Sequence, residues 1–286
     1  MELFSHRKGI KPVKNVMQVD SMDDDLRNSL WNALSVYYWD QMEEYDFLSY
    51  RQDINFLFKS LWHNYFKYPL DTLDNYWKNT YKKLREYFFK CAWNEVYDFI
   101  EIVANSYSDQ YGDKTVNKKF IDFCNSLLTR ELSGYRFIDG KITQITSEEE
   151  ITAIEEALEE TKSIKPAFHH LKRALELLAD RKSPDYRNSI KESISSVEAI
   201  CNLIVNNSKA TLGQALKEIE KKVEFHPALK KAFDSLYGYT SDADGIRHAL
   251  LDEPDLDFED AKFMLVSCSG FINYLLTKAS KAGVKF

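Results

Sequence analysis

Glycine is scarce in this sequence: 9 residues in 286, where average usage of roughly 7% would supply about 20. Sheets draw on glycine for turns and bulges, so the shortage counts against an all-β fold and against glycine-loop α/β architectures. Proline is also sparse, with 6 residues, which leaves room for long uninterrupted helices. No stretch approaches the ~18 consecutive apolar residues of a membrane span. The first residues, Met1 to Lys8, lack the apolar centre of a secretory signal. The four cysteines, Cys91, Cys124, Cys201 and Cys268, are scattered through apolar helical patterns with no CxxC pair. They read as small core residues of a reduced cytoplasmic protein, not as a disulfide frame or a zinc site.

What remains is a mainly helical chain of 44% hydrophobic residues with ample length for a buried core. Its 38 basic and 45 acidic residues give a net charge of −7, which argues against a protein that coats nucleic acid non-specifically. Aromatic residues divide the chain. Of 40, 29 lie in the first 146 positions, and all five tryptophans occur by Trp93. This shift predicts two domains with differently built cores, residues 1–146 and 147–286.

The first part opens on a basic arm, Arg7, Lys8, Lys11 and Lys14. Ser21 and Asp23 offer N-caps to a helix carrying Leu26, Leu30 and Leu34, with Asp24 and Asp25 suited to its positive end. A second helix carries Phe58, Leu61, Trp62 and Tyr65. A third runs from near Asp71 through Leu84 and Phe88 towards Ser106, and a fourth carries Phe120, Phe123, Leu127 and Leu128. Then Tyr135 to Ile145 reads as a hairpin, with β-branched and aromatic residues around the turn pair Asp139-Gly140.

In the second part, Ser147 and Glu150 fit a capping box for a helix over about 148–161. Helices over about 164–181, 185–206, 211–223 and 227–237 follow. The last begins near Asp257 and ends among Lys278 and Lys281. That layout is a small helical bundle.

The familiar enzyme signatures are missing: no Gly-rich phosphate loop, no GxSxG elbow, no HExxH and no EF-hand loop. His169 and His170 are adjacent, point about 100° apart on a helix, and read as structural. The stretch Tyr237 to Leu251 reads as a capping-rich polar loop meeting a short apolar run, with Arg247-His248 at the junction. The His248 imidazole is a candidate acid or base and Arg247 a cation suited to a phosphate; if the run is helical, Asp244 stands one turn before His248 and could orient it. Helix-start capping is the competing reading of the same residues. On the helix after Pro184, Arg187, Lys191 and Glu198 fall within about 40° of one another on one flank of an Ile190/Ile194/Cys201 stripe.

Two stretches carry a family resemblance. Asp185-Tyr186-Arg187-Asn188-Ser189-Ile190-Lys191-Glu192 and Gly245-Ile246-Arg247-His248-Ala249 make the second part resemble the HEPN superfamily. Met22 to Asn32 and the Phe137 to Ile142 hairpin make the first resemble the AbiJ-type N-terminal domains that precede HEPN modules in abortive-infection proteins. The resemblance implies a helical bundle that dimerises around a shared cleft. The activity it implies is metal-independent RNA cleavage without a cofactor, or binding of RNA or a phage or regulatory protein. His248 would serve as acid or base and Arg247 as the phosphate cation, with Arg187, Asn188, Lys191 and Asp244 in the RNA-binding or dimer cleft. One departure stands out. Such ribonucleases carry an arginine, four to six intervening residues and then the histidine, and the positions that count back from His248 hold Ala243, Asp242 and Ser241.

Overall fold

The computed structural model describes residues 4, 8, 16–108, 114–180, 183–207, 210, 212–220, 226–241 and 256–284. Most of them are helical, and the chain divides into two compact units, Met1–Gln144 and Ile145–Phe286.

Among the described residues, the first unit holds five α-helices and one hairpin: α1 (Asp24–Tyr37), α2 (Gln52–Ser60), α3 (Trp77–Lys90), α4 (Trp93–Ser106), α5 (Thr115–Arg130), β1 (Arg136–Ile138) and β2 (Lys141–Thr143). Of the two offered caps, Asp23 starts α1, its carboxylate accepting the Leu26 amide at 2.9 Å. The core is aromatic. Trp31 packs on Phe88, Tyr81 and Phe89 at centroid separations of 5.1, 5.6 and 5.6 Å, and Tyr38 on Phe120 at 5.0 Å. Some polar tips inside it are paired: the Tyr38 hydroxyl donates to Asn117, whose amide donates to the Tyr107 carbonyl, whereas the buried Trp39 indole nitrogen has no hydrogen-bond partner among the described residues.

The expected third helix is two helices. The chain turns extended at Cys91 and Ala92, and no proline or glycine marks the break. One long-range and one local hydrogen bond flank it instead. Arg27 donates to the Phe88 carbonyl at the end of α3, and the Glu95 carboxylate accepts the Ala92 amide that opens α4. The α3 start also shifts, from near Asp71 to Trp77, with Leu70–Thr72 forming a 3-10 turn. The second helix ends in a π-helical turn, Leu61–Tyr65.

The hairpin forms as the Asp-Gly pair dictates. Asp139 and Gly140 have φ of 45° and 76°, the paired left-handed conformation of a tight two-residue turn. A Cβ on Gly140 would come within 2.7 Å of the Asn105 side chain. Glu101 ties β2 to α4, accepting from the Ile142 amide at 2.7 Å and from Lys141 at 3.1 Å.

The second unit is a helical bundle: α6 (Glu148–Thr161), α7 (Lys165–Ala179), α8 (Tyr186–Val205), α9 (Leu212–Ile219), α10 (Pro227–Ser241) and α11 (Phe258–Lys281). Ser147 caps α6 through the Glu150 amide, and Asp257 caps α11 through the Asp260 amide. Ile190, Ile194, Val197, Cys201 and Ile204 are buried, as their spacing predicts. So are Ser189, Ser193 and Ser196, which face inward with Ala167 and Ala174 of α7. Small side chains let the α7 and α8 backbones approach closely, and the Ser189 hydroxyl donates to the Ala174 carbonyl at 2.8 Å. Tyr237 to Ser241, expected in a loop, form the last turn of α10. Gly238 sits inside that helix; an interior glycine costs roughly 1 kcal/mol, which does not force an end. No helix among the described residues is long and apolar enough to cross a membrane.

Candidate functional site

Arg247, His248 and Asp244 lie outside the described residues, as does the basic arm from Arg7 to Lys14 apart from Lys8. Arg187, Asn188 and Lys191 occupy the first turns of α8. Asn188 is held in the cap: the Asp185 carboxylate accepts its backbone amide at 3.0 Å and its side-chain amide at 2.7 Å. Lys191 is exposed and Arg187 half-buried.

One turn apart, Arg187 and Lys191 share a flank of α8, whereas Asn188 and Glu192 share the next, about 100° around the helix. That second flank meets α7. His170 Nδ1 lies 2.6 Å from Glu192 Oε2, with side-chain exposures of 41% and 22%. The carboxylate holds Nδ1 of a side chain that stays partly exposed, so the imidazole is oriented by an acidic partner. The partner stands on another helix 22 positions away, beyond what spacing along one helix can show. The structure therefore separates the α8 cations from the imidazole, and Asn188 is the residue of the three on the imidazole's side.

A polar cluster that no sequence signal marked occupies the first unit. The Arg51 guanidinium makes a two-pronged contact with Asp53, Nε to Oδ1 at 3.1 Å and Nη2 to Oδ2 at 2.8 Å. It also donates to the Gln41 side chain at 2.6 Å and the Gln41 carbonyl at 3.1 Å. The Tyr107 hydroxyl donates to Asp53 Oδ2 at 3.0 Å. Arg51, Asp53 and Tyr107 line a cleft of about 690 Å³ together with Tyr45, Ser49, Tyr50 and Val116. Burial works to raise the Asp53 carboxyl, but the hydrogen bonds from Arg51, the Ile54 amide and Tyr107 outweigh it and hold the group below the usual carboxylate range. Burial, then the bond to Asp53, pushes the Tyr107 hydroxyl up to about 12.

A carboxyl depressed on folding stabilises the folded unit above its unfolded value, near pH 4, and that stability is lost as pH falls through the folded value. Asp53→Asn should therefore lower the urea midpoint of the first unit at pH 7 and match wild type in strong acid. Urea titrations followed by tryptophan fluorescence at pH 7 and pH 2 check this; an unchanged gap at both pH values would discard the linkage.

The fold defines a two-unit helical protein whose aromatic first unit ends in a hairpin and whose second is a helical bundle. The chain belongs to the family described as AbiJ N-terminal domain 4, whose model matches residues 2–160, more than half of the sequence. The membership associates it with abortive-infection defence. The match covers the first unit and extends through most of α6. No curated protein and no solved structure matches the chain.

Proposed function

We propose that the chain is an abortive-infection effector whose second unit cleaves RNA without a metal, in a homodimer, under the control of the first. The observation that carries the defence role is the family match over residues 2–160. Support for the chemistry comes from Arg247-His248 and from the HEPN-like opening of α8, in a second unit whose described elements are helices. In this reading His248 moves the proton of the ribose 2′-hydroxyl and Arg247 meets the phosphorane charge, with Arg187 and Lys191 holding the strand. The carboxylate-held His170 offers a second imidazole on the same unit.

Incubating the purified protein and His248→Ala with total RNA tests the reading. Decay by wild type and its loss in the variant are expected. Equal decay in both removes His248 from the mechanism, and the absence of decay under every activating condition ends the nuclease claim.

One observation favours a binding module instead: no arginine precedes His248 with four to six residues between, and Asp242 and Asp244 would repel a phosphate. RNA or partner binding that survives His248→Ala and is lost on changing Arg187 and Lys191 would establish that alternative.

A further inference from the structure

Three exposed aromatic side chains meet beside the Arg51–Asp53 cleft. Phe47 lies edge-on to Tyr50, centroids 5.6 Å apart at 85°, and inclined to Tyr76 at 5.7 Å and 62°. Their exposures are 38%, 64% and 37%, in a unit that buries most of its aromatic surface. Scattered exposed rings need no explanation, but a contiguous group of them marks an interaction surface.

The group is braced from behind. Phe47 and Tyr76 pair in an antiparallel bridge. The Leu48 amide donates to the Asn75 carbonyl at 2.8 Å, and the Trp77 amide to the Asp46 carbonyl at 2.7 Å. The Ser49 amide donates to the Asn75 side chain at 3.0 Å, and Asn75 returns a bond to the Ser49 hydroxyl at 3.2 Å. Two loop segments are thus clamped so that the rings stay at the surface.

Charge says what fits there. Residues 40–53 and 70–78, which carry the rings, hold seven carboxylates against Arg51 and Lys78, a balance of 2 − 7 = −5. Glu43, Glu44 and Asp46 among them are exposed, and Arg51 is neutralised by Asp53. Near Val116, which lines the cleft, Lys114 precedes α5 and Lys118 and Lys119 lie in it, and with these three included the balance is −5 + 3 = −2. Inclined aromatic faces within a negative field attract a cation: the ring quadrupole and the carboxylates act in the same direction. A phosphodiester strand would meet the opposite force.

We propose that this face of the first unit docks a lysine- or arginine-bearing segment of a partner protein, with the cationic side chain against the Phe47, Tyr50 and Tyr76 rings. The inference stands apart from the nuclease reading and names the chemistry of a partner for the regulatory unit.

Fluorescence anisotropy of the full chain tests it with two labelled octapeptides, identical except that two lysines in one are glutamates in the other. The lysine peptide should bind and should weaken as salt rises. Tyr50→Ala should weaken it by about tenfold, the scale of one cation–π contact with its packing, while Tyr50→Phe retains it. Tyr50 is exposed, so an unchanged tryptophan emission spectrum shows that the alanine variant is folded. No lysine-peptide binding, equal binding by Tyr50→Ala, or tighter binding of single-stranded RNA or the glutamate peptide would overturn the proposal.

Discussion

Truncating Phe88 to alanine should lower the unfolding free energy of the first unit by about 3–5 kcal/mol, the cost of removing a large ring from a packed interior and leaving a cavity. Phe88 is fully buried and touches Trp31, Phe89 and Phe99, at centroid separations of 5.1, 5.6 and 5.8 Å. Rigid, inclined rings cannot collapse into the void as flexible aliphatic chains do, so relaxation recovers little. The readout is selective by composition. All five tryptophans, Trp31, Trp39, Trp62, Trp77 and Trp93, belong to the first unit, so intrinsic tryptophan fluorescence in urea follows that unit alone. A loss below about 1 kcal/mol would mean that the aromatic cluster is not close-packed around Phe88.

The second large effect belongs to the other unit. Ser189→Leu should destabilise the bundle by about 3 kcal/mol, at the upper end of overpacking costs, because the larger side chain must enter the tightest part of the α7–α8 seam. Ser189 has no exposed surface, and its hydroxyl reaches the Ala174 backbone. Ser189→Ala keeps the seam's shape and gives up one hydrogen bond, a change of about 1 kcal/mol. Fluorescence is blind here, so amide hydrogen exchange along α7 and α8 is the measurement. Protection should collapse in the leucine variant and persist in the alanine variant. Equal protection in both would show that the helices are not held at close approach by small residues.

The two variants also mark where reading a sequence stops. The hairpin was legible because its cause is local: Asp139-Gly140 needs positive φ, and few residue pairs supply it. The isoleucine stripe of α8 was legible because burial and apolarity coincide there. Ser189, Ser193 and Ser196 broke that coincidence, since polar residues entered the seam for their size and bonded to backbone carbonyls. The Cys91–Ala92 break was invisible because Arg27, far back in α1, takes the terminal carbonyl of α3. For the candidate sites the same division holds. Asn188 and its cap Asp185 are three positions apart and readable. Asp53 and Tyr107 meet across 54 positions, and His170 and Glu192 across 22, where only the fold supplies the contact.

Helix α6 has a consequence for how such proteins are assembled from parts. By family it travels with the first unit, since the match runs to residue 160. By packing it is furniture of the second: Ile154, Ala157 and Leu158 are buried there, Asn273 of α11 donates to the Ala153 carbonyl, and Lys262 meets Glu150. A fragment ending at 160 would carry a greasy helix without its cover, whereas one ending at 144 would not. A chimera joined at residue 160 would need its second part to cover Ile154, Ala157 and Leu158. Any incoming module must present a groove shaped for α6, so this helix works as a coupling, a plug carried by one part and a socket demanded of the next.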